Sequence, residues 1–205
     1  MQGADAREAA LERLLEEALA ATLLLERAPK ALIEVHAFVA QCGGGEAAAA
    51  VMAAGLAAAN AQLDLRCLPS AACVVRVFAE YPMSCSYARC CLFFKPLRAA
   101  CVNQCLLEKW PGALCARAAA RRPALQVTRG AHLLADPSPA EVAAADRAAT
   151  AVMHSPRARV AHLTVSGIFS AAELADVIEV ASDACAFYDE QLREVLLAAA
   201  AGAPG

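Results

Sequence analysis

Cysteine is the residue type here that supports the most kinds of chemistry, because thiolates bind metals and act as nucleophiles. Eight of the ten cysteines lie between Cys67 and Cys115. A zinc site would have to use the central set, which is Cys85, Cys90, Cys91, Cys101 and Cys105. No CxxC pair occurs among them, and their spacings match no common zinc finger. We therefore expect no metal and no other cofactor, and we expect reduced thiols because the N-terminus carries no secretory signal.

The four histidines are dispersed along the chain. His36, His132, His154 and His162 do not fall beside a cysteine or serine in an obvious catalytic pattern. The sequence also lacks the phosphate-binding loops GxxxxGK[ST] and GxGxxG, the HExxH zinc motif and the GxSxG nucleophile elbow. These absences argue against the common hydrolases and nucleotide-binding enzymes.

A run of three glycines, Gly43 to Gly45, leads into an Ala-rich segment that begins at Glu46. Where a strand passes into a helix, backbone N–H groups and the helix dipole can together hold an anion. Glu46 places a negative charge where that anion would lie. The sequence therefore favours a tight turn over an occupied phosphate site.

Residues 74–129 differ in composition from the rest of the chain. They contain nine Lys and Arg against two acids, a net charge of +7, whereas the remaining residues carry 9 basic against 19 acidic groups, or −10. Basic and aromatic side chains together can bind RNA, and the aromatic residues of this segment include Tyr81, Tyr87, Phe93, Phe94 and Trp110. Prolines at Pro82, Pro96 and Pro111 interrupt any regular period. We interpret residues 74–129 as an insertion that is disordered or is a translated intron, with a zinc-stabilised basic RNA-binding module as the alternative.

The segment before this insertion has regular periods. Asp5 and Glu8 form a capping-box pattern that predicts a helix ending before Pro29. Alternating apolar residues predict a half-buried strand over residues 31–40, and an Ala-rich helix follows over residues 46–61. The small side chains of that helix predict close packing on a sheet.

The segment after the insertion is regular as well. Residues 148–153 and 159–166 alternate in hydropathy and predict a β-hairpin, and Ser138 to Glu141 predicts the start of a short helix. Ser170 and Glu173 form a capping box that predicts a long final helix with one apolar face. Helices and strands in this arrangement indicate an α/β (α+β) fold in which helices pack on a mixed sheet.

Targeting and membrane signals are absent from the sequence. No run of about 18 strongly apolar residues occurs, so we expect no membrane span. The acidic N-terminal segment is typical neither of a signal peptide nor of a transit peptide.

The order of these elements and the amino-acid sequences of several segments resemble those of the RNase PH family. The N-terminal segment is similar to the family's helix, strand, Gly-Gly turn and Ala-rich helix. It comprises residues 7–27 and the following PKALIEVHAFVAQCGGGEAAAAVMAAGLAAANAQLDL. Two later segments are similar to the family's Leu-Asp-Pro segment and to its closing strand and helix. They are, respectively, HLLADPSPAEV and ARVAHLTVSGIFSAAELADVIEVASDACAFYDEQLREVL. The resemblance covers about 4–73 and 130–198. It implies an RNase PH-like (ribosomal protein S5 domain 2-like) domain that is incomplete, because the family's first strands and basic RNA-contacting segment have no counterpart before Asp5.

The resemblance also implies which residues would carry activity. Catalytic members bind phosphate with a Thr-Arg or Ser-Arg pair after the Gly-Gly turn, and Gly45 and Glu46 stand at those positions. Active members also carry two Asp residues before the next strand, for which this sequence offers Glu141 and Asp146. Phosphorolysis requires positive charge around the attacking phosphate. We therefore expect all four positions to be degenerate and the chain to be inactive.

Within the family the chain is similar to the non-catalytic mRNA-transport (Mtr) type of subunit in the eukaryotic RNA exosome ring. That similarity implies a structural role in 3′-to-5′ RNA processing and degradation, rRNA processing included, in the nucleus, nucleolus and cytoplasm. The expected partners are other RNase PH-like ring subunits, with RNA bound only through the complex and no membrane contact. The enzymatic alternative is a phosphate-dependent 3′-5′ exoribonuclease that uses Asp146 and Glu141.

Overall fold

The fold combines helices with one β-sheet in a computed structural model that describes residues 2–40, 42–78, 126–128, 131–154 and 159–202. The helices are α1 (Gln2–Thr22), α2 (Glu46–Asn60), α3 (Pro139–Ala144) and α4 (Ala171–Gly202), with a 3-10 helix at Leu25–Arg27. The strands are β1 (Pro69–Phe78), β2 (Gln126–Thr128), β3 (Ala131–Ala135), β4 (Arg147–His154) and β5 (Arg159–Ser166). This composition confirms the predicted α/β class.

The described strands form one sheet in the order β2-β3-β1-β4-β5, and each of their pairings is antiparallel. The described sheet is therefore antiparallel, whereas the sequence predicted a mixed one. β1 is the central strand, since it pairs with β4 over Pro69–Arg76 and with β3 over Val74–Phe78. It is buried from Ala71 to Val75, as expected for a strand whose two faces are both covered.

The predicted insertion over residues 74–129 is too wide at both ends. Residues 74–78 belong to β1, where Val74, Val75 and Val77 are buried, and residues 126–128 form β2. A charge count over a long window does not detect the end of an apolar strand. Residues 79–125, which include the cysteines considered as zinc ligands and the aromatic residues, lie outside the described residues.

Helices cover both faces of the sheet. On one face α1 and α2 contribute Leu19 and Val51 to a buried cluster that includes Val152 of β4. On the other face Val177 of α4 lies in a second cluster with Val74 of β1. Burying each Val or Leu side chain stabilises the fold by about 1.5–3 kcal/mol, so these two layers hold the sheet between them.

Close packing of α2 on β1 follows from the small side chains of the helix, as predicted. A Cβ atom at Gly55 would lie 2.4 Å from Cγ and 2.5 Å from Cδ of Pro69. Only glycine permits so short a distance between the helix backbone and the proline ring. This contact fixes the position of α2, and with it the Glu46 end of the helix, relative to the sheet.

The predicted strand over residues 31–40 is wrong. Residues 31–39 have no regular secondary structure, and Leu32 and Phe38 are 83% and 80% exposed. Alternating apolar residues favour a strand, but a strand needs a neighbour for its backbone hydrogen bonds. None of the strands in the described ranges pairs with this segment.

The elements with local start signals agree best with prediction. The predicted hairpin is confirmed by the β4–β5 pairing. Capping boxes are formed at the start of α3 and of α4, where Ser170 and Glu173 exchange hydrogen bonds. The box predicted at Asp5 and Glu8 is wrong, because α1 already begins at Gln2. Its Ala- and Glu-rich sequence favours helix on both sides of Asp5.

No helix within the described ranges has both the length and the hydropathy that crossing a membrane requires.

Candidate functional site

The glycine bend before α2 is pressed against the start of α3. Gly44 has φ +97°, and a Cβ atom there would lie 2.6 Å from the carbonyl oxygen of Pro137 and 2.7 Å from Cγ2 of Val142. A side chain is excluded on both counts, since L-residues avoid this φ and the nearest atom belongs to backbone. The structure thus brings the glycine bend and the segment that carries Glu141 into direct contact.

The carboxylate of Glu46 folds back over this bend. Its Oε2 accepts a hydrogen bond from the backbone N–H of Gly44 at 3.0 Å, and its Oε1 lies 3.4 Å from Nη2 of Arg7. Glu46 is also the first residue of α2, where the helix dipole favours a negative charge. The carboxylate of Glu46, which belongs to the chain itself, therefore accepts a hydrogen bond from a backbone N–H of the bend.

Glu141 is committed to capping α3. Its Oε2 accepts a hydrogen bond from the backbone N–H of Ser138 at 2.6 Å, and its own N–H donates to the Ser138 hydroxyl at 3.3 Å. The residue is 8% exposed. A capping box of this kind stabilises a helix start by about 0.5–2 kcal/mol, so the contacts of Glu141 are those of a structural residue.

Asp136 is the residue near the bend that the sequence argument missed. It directly precedes Pro137, it has φ +54°, and its backbone N–H donates to the carbonyl of Cys73 at 2.9 Å. The Asp-Pro dipeptide before a capping box was the available signal, because Asp tolerates a left-handed conformation in turns. Glu46, Asp136 and Glu141 place three acidic residues at the corner between the bend and α3.

The Cys73 thiol of β1 reports the electrostatics of this corner. Burial, opposed by a hydrogen bond with Thr150 and aided by the charges of Asp136 and Glu46, raises its pKa to about 11. A thiol with this pKa is neutral at physiological pH and is a poor nucleophile. The corner therefore favours neither a thiolate nor a bound phosphate.

Asp146 lies in a different place, within an ion-pair network. Its Oδ2 lies 2.5 Å from Nη1 of Arg76 and 3.2 Å from Nε of Arg147, and both arginines also contact Glu173. Its N–H donates to the Arg76 carbonyl at 3.2 Å. Arg76 is three residues beyond Cys73 on β1, a separation of about 10 Å. Asp146 thus contacts Arg76 and Arg147, whereas Glu46 contacts the Gly44 N–H and Arg7.

Glu173 joins this network from the start of α4 and gives a prediction for acid stability. Hydrogen bonds from the N–H and hydroxyl of Ser170, and then the Arg147 guanidinium, lower its pKa from the ordinary 4.5 to about 2. A carboxyl with a lower pKa in the folded than in the unfolded chain stabilises the fold above pH 4.5, and this contribution is lost as the pH falls toward 2. We expect the free energy of unfolding in urea to fall between about pH 5 and pH 2.

The matched variant for this prediction is Glu173→Gln, which retains a side chain suited to the capping box. Its unfolding free energy should fall less steeply with acid than that of the wild type. Identical pH slopes for the two proteins would show that Glu173 does not carry the effect.

The four histidines lie in different parts of the chain, His36 in the irregular segment after α1 and the others in β3, β4 and β5. His162 contacts Glu17 at 2.7 Å, and exposed His36 lies 3.8 Å from Glu34. His132 and His154 each have one buried ring nitrogen, Nδ1 and Nε2 respectively, that has no hydrogen-bond partner. In the part of the chain that the structure describes, no group of three or more His, Cys, Asp or Glu side chains is arranged to hold a metal ion.

A cavity of about 190 Å³ is lined by residues such as Leu24, Ile33 and Leu63. Its lining includes none of Gly45, Glu46, Glu141 and Asp146.

Comparison with known protein families gives a match over the N-terminal part of the chain. Residues 1–64 match the RNase_PH family, described as the 3′ exoribonuclease family, domain 1. No curated protein matches the chain. The matched residues include α1, the glycine bend and α2. The family match, together with an α/β fold that is consistent with it, supports an RNase PH-like protein.

Proposed function

We propose that this chain is a non-catalytic, structural subunit of a ring of RNase PH-like proteins. It supports 3′-to-5′ RNA processing and degradation by completing a ring in which another subunit is active. The observation that carries the proposal is the 3.0 Å hydrogen bond from the Gly44 N–H to the Glu46 carboxylate. A phosphate at the bend would need the Gly44 N–H as a hydrogen-bond donor, and this N–H already donates to Glu46.

The size of the charge effect supports inactivity. Two unit charges of like sign at 4 Å repel by about 4 kcal/mol in a partly buried site. This corresponds to roughly a thousandfold loss of affinity. The Glu46 carboxylate is 23% exposed and therefore only partly screened by solvent. Phosphate about 4 Å from that carboxylate would meet this repulsion, which the Arg7 guanidinium at 3.4 Å from Oε1 offsets in part.

The finer assignment rests on the resemblance of the sequence to the Mtr type of exosome subunit. It makes the partners other RNase PH-like subunits of the eukaryotic exosome ring and the RNA contact indirect, through the assembled complex. It also places the protein in the nucleus and nucleolus as well as the cytoplasm. Protein contacts, rather than an RNA site of its own, then define the role of the chain.

A phosphorolysis assay tests inactivity. Purified full-length chain is incubated with end-labelled single-stranded RNA and inorganic phosphate, beside an active phosphorolytic exoribonuclease as the positive control. We expect neither shortened RNA nor released nucleoside diphosphate. We also expect Glu46→Arg to be inactive, because Glu141 caps α3 and Asp146 is held by two arginines. Phosphate-dependent shortening by the wild-type chain would overturn the proposal in favour of an exoribonuclease.

Association tests the ring. The tagged full-length chain is mixed with purified RNase PH-like ring subunits and analysed by size-exclusion chromatography with mass spectrometry of the peak. Co-elution in one complex is expected. A chain that elutes separately from every such subunit would contradict a structural role in the ring.

A further inference from the structure

β5 is an edge strand of the described sheet. It pairs with β4 on one side, and none of the other described strands lies beside it on the other. An edge presents backbone N–H and C=O groups that can pair with another chain. Most natural sheets protect such an edge with charged residues, proline or a bulge.

The sequence of this edge carries little protection. No Lys, Arg, Asp, Glu or Pro occurs in residues 160–169. Val160, Val165 and Ile168 are 41%, 40% and 88% exposed. A register shift falls between Val160 and His162, but residues 162–166 then pair with β4 without interruption. These five residues form a regular, uncharged ladder edge.

The two faces of this ladder differ in character. His162 and Thr164 lie on the α1 face, since His162 contacts Glu17 and its Nε2 lies 2.8 Å from Oγ1 of Thr164. Leu163 packs against the cluster on the α4 face, and alternation places Val165 on the same face. The edge is therefore polar toward α1 and apolar toward α4.

We propose that two copies of this chain pair through β5, antiparallel, about a two-fold axis at Thr164. In this register Leu163 lies opposite Val165 of the second copy, which joins two apolar residues on the α4 face. Thr164 lies opposite its own equivalent on the α1 face, and Thr–Thr pairs are favourable across strands. The exposed Val160 end of each strand meets the Ile168 end of the other. The result is one continuous sheet through both copies.

Other registers of the same symmetric pairing fit less well. An axis at His162 places the irregular step at Ala161 opposite Leu163. An axis at Ser166 sets Val165 against Gly167 and removes the apolar pair. Axes at Leu163 and Val165 set two of the five regular residues opposite residues outside the regular ladder, so only the Thr164 axis pairs all five with one another. A second copy is therefore the partner that this edge fits, whether or not the chain belongs to a ring.

Sedimentation equilibrium of the full-length chain tests the proposal. We expect the wild type to shift from monomer to dimer with increasing concentration between about 1 and 100 µM. Thr164→Lys and Thr164→Glu each place like charges opposite one another at the axis, so each should raise the dimer Kd roughly tenfold or more. An equimolar mixture of the two variants should restore dimers, because Lys and Glu then face each other.

Two control variants separate pairing from folding. Thr164→Val also loses the contact with His162 but adds no charge, and it should dimerise like the wild type. Ala57→Lys adds a charge at an exposed position of α2 and should leave the dimer unchanged. Circular dichroism verifies the fold of each variant. As an independent measurement on the wild type, amide exchange of residues 162–166 should slow as the protein concentration rises.

Four results would overturn the inference. They are a wild type that stays monomeric over this range, a dimer that Thr164→Lys leaves intact, a mixture of the charged variants that remains monomeric, and amide exchange in β5 that is independent of concentration.

Discussion

Replacing Gly44 by alanine should lower the free energy of unfolding by about 3 kcal/mol or more. Two costs combine at this position. At φ +97° an L-residue is strained, which costs about 1–2 kcal/mol. The new Cβ would also lie 2.6 Å from the Pro137 carbonyl oxygen, and forcing such a contact costs about 1–3 kcal/mol because backbone cannot rotate away. Urea denaturation measures the change.

Gly167→Ala is the matched control, since it shares the conformation but has a less severe contact. Gly167 has φ +95°, and its Cβ would lie 3.0 Å from Cγ of Arg147, compared with 2.6 Å from a backbone oxygen at Gly44. We expect this variant to lose only about 1–2 kcal/mol, the conformational cost. Equal losses in the two variants would show that the bend is not pressed against α3.

The result at Gly44 also bears on the proposed function. An alanine there must move the bend away from Pro137, and this movement would separate the Gly44 N–H from the Glu46 carboxylate. The internal anion would then lose its backbone donor. If the variant keeps wild-type stability, the geometry that supports an inactive phosphate position is wrong.

Locally determined features could be predicted from the sequence. The starts of α3 and α4 depend on capping boxes only four residues long, and the sequence therefore contains the whole signal. α2 begins at Glu46 as predicted, after the glycines. The position of Glu46 as an anion at the bend was also predicted, and its bond to Gly44 links residues only two positions apart.

Features that depend on strand pairing could not be predicted in this way. Residues 31–40 alternate as a strand should, yet none of the described strands supplies their backbone partners. The approach of Asp136 to Cys73 and the engagement of Asp146 by Arg76 both follow from the register of β1 with its neighbours. A register between residues 70 positions apart leaves no trace in the local pattern of either segment.

The ion-pair network gives the second large expected effect, at Arg76. Its side chain is 13% exposed and contacts Asp146 at 2.5 Å and Glu173 at 3.6 Å. Removing one partner from a buried ion pair costs about 3–5 kcal/mol, but the acids here are about a quarter exposed and solvent screens part of this cost. We expect Arg76→Met, which keeps the apolar stem, to lose about 2 kcal/mol of unfolding free energy in urea.

Arg66→Met is the control for Arg76→Met, because Arg66 pairs with Glu26 at 2.9 Å while both side chains are more than half exposed. An exposed pair contributes about 0–1 kcal/mol, so this variant should be clearly more stable than Arg76→Met. Combining Arg76→Met with Asp146→Asn should cost less than the sum of the single changes, because the two side chains contact each other. Strict additivity would mean that Asp146 is independent of Arg76. Asp146 would then lose the structural role that its contact with Arg76 indicates.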